Sequence, residues 1–160
     1  GREQNTRHGK WSFQPYGFIA WALGRIGPEA AEGAVPALAE LVADSSSLRV
    51  RVALDPVAIM TGEAGKHTGR ALAEIFARLA DAIRVARATD LEVIEAGEET
   101  KIRPVPLGQG SLDYLTYLKL LGALQLDTPL VVPAQPSDQA YRRARDFLAD
   151  AARKAGVSLA

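Results

Sequence analysis

The sequence predicts an α/β fold built on parallel strands. Three observations point there. Short apolar runs recur at Leu48–Leu54, Ile83–Ala88 and Leu130–Val132. Stretches with helical apolar spacing lie between and after them, with Leu72, Ile75, Phe76 and Leu79 the clearest case. Glycine, proline and aspartate mark the junctions, as in Leu54-Asp55-Pro56 and Gly108-Gln109-Gly110. Strands that alternate with helices form βαβ units, and βαβ units form parallel sheets. Continuously apolar strands suit such a sheet, whose two faces are both covered.

Composition narrows the function classes. The 160 residues suffice for one domain with a core, and 48% of them are apolar. Nineteen acidic residues balance nineteen basic ones. A neutral chain has no long-range pull on nucleic acid or on an anionic membrane, so neither is an expected partner. There is no cysteine, which excludes disulfides and thiolate metal sites and permits a reducing compartment. No apolar run approaches the roughly 18 residues of a membrane span. Gly1 to Lys10 is polar, unlike the apolar core of a signal peptide. A soluble cytoplasmic protein is the expectation.

The elements follow in order. Residues 1–16 are polar with scattered aromatics and form an arm without a sustained period. Residues 17–47 form a helical segment, within which Gly17 to Gly27 fits both a helix and a buried strand. A helix starts at Pro28, carries the stripe Val35, Leu38, Ala39, Leu41 and Val42, and ends by Asp44. Residues 48–156 hold the strand–helix alternation. Val50, Val52 and Leu54 favour the first strand. Gly62 to Gly69 is glycine-rich and polar, a loop of the kind that closes over a site. The second strand is Ile83–Ala88, followed by a charged loop from Glu95 to Lys101. Pro104 and Pro106 keep Ile102 to Leu107 extended. Asp113 is a candidate N-cap for a helix through Leu115, Leu118, Leu121 and Leu124. The last helix runs from Asp138 to Lys154, with Gly156 near its C-cap.

Several segments in this order resemble the sugar-phosphate isomerases and epimerases of the xylose-isomerase-like TIM barrels. They are Leu54-Asp55-Pro56, Ile83 to Asp90, the "PLGQGSLDY" segment ending at Tyr114, and Pro129 to Gln135. The resemblance covers Leu48 to Gly156 and implies a partial parallel β/α barrel, strands six to eight of eight, with helices on the outer face. It also implies a divalent metal site at the strand ends that polarises substrate oxygens. Asp55 matches the acid of strand six. Arg87 stands where the family's histidine would be, Asp90 keeps the following acid, and Pro133 replaces the glutamate of strand eight. One carboxylate beside an arginine suits an anion better than a cation. No metal ligand set is therefore assigned. A divalent metal is expected only if a partner chain supplies the other ligands. A separate stretch, Ala20 to Asp44, resembles one HEAT-type helical repeat, and equally reads as an alanine-rich helix of a further barrel unit.

The candidate ligand-binding residues are Asp55, Arg87, Asp90, Gln135 and His67. Asp55 lies at a strand end, where barrel sites lie. It would otherwise be a turn aspartate before Pro56. Arg87 and Asp90 can hold an anionic ligand, or form an ion pair and cap a loop. Gln135 follows the third strand and can meet a sugar hydroxyl. His67 is the sole histidine of the barrel-like part and the one candidate for acid–base work near neutral pH. Gly108 and Gly110 can bring backbone amides to a phosphate, or simply allow the turn.

The expected function is a degenerate isomerase/epimerase-like domain that binds a small sugar or sugar phosphate. The alternatives are an active metal-dependent isomerase completed by a second chain, and a non-catalytic interaction module. A full barrel takes about 250 residues. A partial one leaves open strand edges, so self-association or pairing with a missing barrel half is expected. The chain can equally be a piece of a larger protein.

Overall fold

The computed structural model describes residues 28–44, 51–97, 99–125 and 127–159. The stretch 17–27, His8, Trp11, Trp21 and most of the first predicted strand before Val52 lie outside them.

The fold is mixed α/β. Helix α1 (Pro28–Asp44) is followed by strand β1 (Val52–Leu54), two short helices α2 (Pro56–Ile59) and α3 (Gly62–Lys66), and helix α4 (Thr68–Leu79). A 3₁₀ turn (Ala80–Ala82) leads into β2 (Ile83–Arg87). A hairpin of β3 (Asp90–Ala96) and β4 (Glu99–Val105) follows, then α5 (Tyr114–Gly122), β5 (Leu130–Val131) and α6 (Asp138–Ala155).

The parallel sheet has the order β1-β2-β5. Its register pairs Leu54 with Ala86 and Arg87 with Val131. All three strands therefore end at one edge, and the residues just beyond them converge there.

Helix α4 forms because its apolar residues fall on one face, and it buries Leu72, Ile75, Phe76 and Leu79. Each such side chain contributes about 1.5–3 kcal/mol of burial. These four join Leu54, Ile83 and Ala86 of the strands, Tyr117 and Leu118 of α5, Leu148 of α6 and Leu38 of α1 in one core. Ser137 caps α6 by accepting from Ala140 N, and Gly156 closes it in the left-handed region at φ 71°. Asp113 caps α5 as its sequence position predicts, accepting from Thr116 N.

Two expectations are corrected. The charged stretch Glu95 to Lys101 is part of an antiparallel hairpin, not a loop: Glu92 lies opposite Arg103 and Val93 opposite Ile102. Its apolar residues alternate with charged ones, and Gly97 supplies the positive φ of the turn. The glycine-rich stretch Gly62 to Gly69 is not an open loop either. Thr61 accepts from Ala64 N and starts α3, and Lys66 reaches back to Glu63. Helix α3 lies on the hairpin, where a Cβ at Gly65 would sit 3.0 Å from Val93 Cγ2. Glycine here permits close packing rather than motion.

Candidate functional site

Strand β1 runs directly into Asp55, held extended at φ −118° and ψ 106°. Pro56 starts α2 at once, so Asp55 is also a helix cap, and its Oδ1 accepts from Val57 N at 3.2 Å. The parallel register brings the end of β2 alongside. Arg87 Nη1 lies 3.2 Å from Asp55 Oδ2. Thr89 donates its hydroxyl to Asp55 Oδ1 at 2.7 Å. The Asp55 side chain is 19% exposed and that of Arg87 45%, so the guanidinium keeps a solvent-facing side.

Two tyrosines fix this strand end from beneath. Tyr117 donates to Arg87 O at 3.1 Å and Tyr114 to Thr89 O at 2.7 Å. Their rings meet edge to face with centroids 5.9 Å apart, and Phe147 meets Tyr114 in the same way at 5.0 Å. Burial raises both phenol pKa values far above the ordinary one, aided by the charge of Asp90 at Tyr114 and of Asp55 at Tyr117. Both hydroxyls stay neutral donors.

Asp90 is buried, and its carboxylate holds the loop that follows the hairpin. Its Oδ2 accepts from Gly108 N at 3.0 Å and Gly110 N at 2.9 Å. Its Oδ1 accepts from Leu91 N at 2.9 Å and Leu112 N at 3.2 Å. A carboxylate offers about four acceptor positions, and four amides fill them. The same bonds direct the amides of Gly108 and Gly110 onto Asp90 instead of a phosphate. At Gly110 an added Cβ would collide with this carboxylate and with Leu91 O, which explains the glycine.

Gln135 follows β5 and donates Nε2 to Pro133 O at 2.9 Å. It lines a cleft of about 370 Å³ together with Thr89, Asp90, Gln109, Pro133 and Arg143. Thr89 is the link, since it touches both this cleft and Asp55. His67 stands apart. It is exposed at the junction of α3 and α4, lines no part of the cleft and makes no hydrogen bond to the Asp55 cluster.

The structure thus brings Asp55, Arg87 and Gln135 to one end of the sheet, turns Asp90 inward and leaves His67 outside. Thr89, Tyr114 and Tyr117 are the residues that sequence reasoning passed over. Thr89 stood inside the Arg87–Asp90 motif, and the tyrosines stood three apart on a predicted helix.

A larger cleft of about 680 Å³ lies at the opposite end of β5, against Leu118, Leu124, Leu130, Val157 and Leu159. Asp127 is the one charged side chain among its described lining residues. It offers no cation to an anionic ligand, so the smaller cleft is the better candidate.

Among the described residues, no group of three or more His, Cys, Asp or Glu is placed to hold a metal. Asp55 does not fit a divalent cation, because a guanidinium already occupies one of its oxygens and would repel a second positive charge. Among the described residues, no helix is long and apolar enough to cross a membrane. No protein-family model, curated protein or solved structure matches the chain.

Proposed function

We propose that the chain is a sugar-phosphate isomerase/epimerase-like domain, part of a parallel β/α barrel, that binds a small polar or phosphorylated ligand without a metal. The observation that carries this reading is the Asp55–Arg87–Thr89 cluster at the C-terminal ends of parallel strands. Ligands of parallel α/β folds bind at that edge, where loops are free to vary over a fixed sheet. Asp55 orients Arg87 and balances its charge. The solvent-facing side of Arg87 remains for ligand oxygens, and Gln135 Oε1 accepts from a hydroxyl. No proton-transfer role is assigned, since His67 lies away from the cluster.

Association belongs to the same reading. The crossovers between β1, β2 and β5 advance in one direction, which puts α4 and α5 on one face of the sheet. On the strands, Ala53 is exposed and Val131 is 46% exposed. Parallel sheets are covered on both faces. A second copy or a missing barrel half would supply that cover in a cytoplasmic setting, which the lack of cysteine suits.

The test is calorimetric titration of the purified chain with ribose 5-phosphate in buffer containing EDTA. Saturable binding under chelation is the expected result. Binding that appears only after manganese is added would overturn the metal-free reading.

A further inference from the structure

The cleft beyond β2 and β5 carries two charged side chains with opposite fates. Asp90 is spent, because its carboxylate is filled by the four backbone amides of Leu91, Gly108, Gly110 and Leu112. It presents no open acceptor to a ligand. Arg143, on the second turn of α6, makes no ion pair or hydrogen bond among the described residues. It is exposed, and it lines the cleft beside Ala140 and Pro136 at the amino-terminal end of that helix. The helix dipole adds positive potential at this end.

The remaining surface fits one kind of molecule. Pro104, Pro133 and Pro136 give rigid apolar walls for carbon-bound hydrogens. Gln109 and Gln135 give amide groups at the rim, and Thr89 joins the cleft to Asp55. The volume of about 370 Å³ is near the lower end of small-molecule sites, roughly 300–1,000 Å³. A guanidinium with no protein partner can take one anionic group, and its planar fork matches phosphate or carboxylate oxygens in pairs.

We propose that Arg143 is the anchor for the anionic end of a sugar-sized ligand whose hydroxyl-bearing end lies toward Thr89 and Gln135. This rests on the ligand-binding function proposed above and assigns its anion to Arg143, which lines the cleft, and leaves the solvent-facing side of Arg87, whose charge Asp55 balances, to uncharged ligand oxygens. Arg143 is a binding residue here, with no catalytic step attached.

The experiment measures ribose 5-phosphate, inorganic phosphate and ribose against the wild-type chain, Arg143→Ala, Arg87→Ala and Arg142→Ala, all in EDTA. Arginine and alanine are both good helix formers, so the two changes on α6 leave the helix intact. The expected result is roughly tenfold or greater weakening of ribose 5-phosphate by Arg143→Ala, the scale of one lost charge-assisted interaction. Arg142→Ala, whose side chain lines no part of the cleft, is expected to bind as wild type does. Inorganic phosphate is expected to compete more weakly, and ribose not to bind. Unchanged binding in Arg143→Ala with loss in Arg87→Ala would overturn the anchor while leaving the ligand-binding function standing. Inorganic phosphate binding as tightly as the sugar phosphate would overturn the sugar-sized ligand. No binding by the wild-type chain would remove the proposed function itself.

Discussion

Asp90 and Tyr117 show how single residues set the geometry of the site. The carboxylate of Asp90 satisfies amides from both sides of a loop, and its removal strands them in a buried place. Asp90→Asn keeps the shape but turns an NH₂ group toward one pair of amide donors. The expected cost is about 1–3 kcal/mol for each amide left without an acceptor, read as a lower urea midpoint at unchanged slope. The tyrosines give a pH signature. Their folded-state pKa values are raised by burial, so their contribution is fully present below the unfolded value of about 10. It is lost as pH rises above that value, because the unfolded chain can ionise where the folded one resists. Stability is expected to fall more steeply between about pH 9 and 11 in the wild-type chain than in a Tyr114→Phe/Tyr117→Phe double variant. Equal losses of stability in the two proteins, measured by urea unfolding at both pH values, would remove the buried-phenol account. The loop-capping role of Asp90 was one of the two readings its position offered, whereas the functions of the tyrosines were hidden in the sequence for one reason. Their partners are backbone groups, and backbone groups carry no sequence signature. Arg87 and Asp55 were legible because both bear charge at recognisable strand ends.

At the scale of elements, helix α4 and the strands β2 and β5 were readable from their apolar spacing, and α6 from its Asp138 start and the Gly156 that closes it. The hairpin was readable only in the second half of β4, where Pro104 marks extended chain. Its strands carry Glu92, Glu95, Glu99, Lys101 and Arg103, and a charge run reads as a solvated loop until the partner strand is known. What holds it is long-range: α3 packs Gly65 against Val93 and Ile102, and Glu63 accepts from the Thr100 hydroxyl. Gly65→Leu would force a side chain into that contact, where a Cβ alone would already lie 3.0 Å from Val93 Cγ2. Destabilisation of about 1–3 kcal/mol is expected, with hydrogen exchange rising first in the hairpin amides. Protection lost evenly over the molecule would instead mean that α3 and the hairpin do not open as a unit.

For the molecule as a whole, βα alternation in the sequence announced the parallel sheet, and the sheet has three strands in the order β1-β2-β5, with the β3–β4 hairpin inserted in the chain between the last two. What the sequence could not display is which residues meet. The 3.2 Å pairing of Arg87 with Asp55 is a product of strand register. Among the described residues Ala53 and Val131 of the sheet are exposed, the proposed association would cover them, and light scattering on the purified chain is expected to give a mass of at least twice 17.1 kDa. A stable monomer with cooperative unfolding would show that the described sheet needs no second body. The most direct test of the central claim, that Asp55 is held by the guanidinium of Arg87 and takes up a ligand without a divalent metal, is manganese titration followed by electron paramagnetic resonance. Free-ion signal should persist at millimolar-range concentrations, with no tight site, on the order of 10⁻³ M or weaker. A stoichiometric site filled at micromolar manganese would contradict the account.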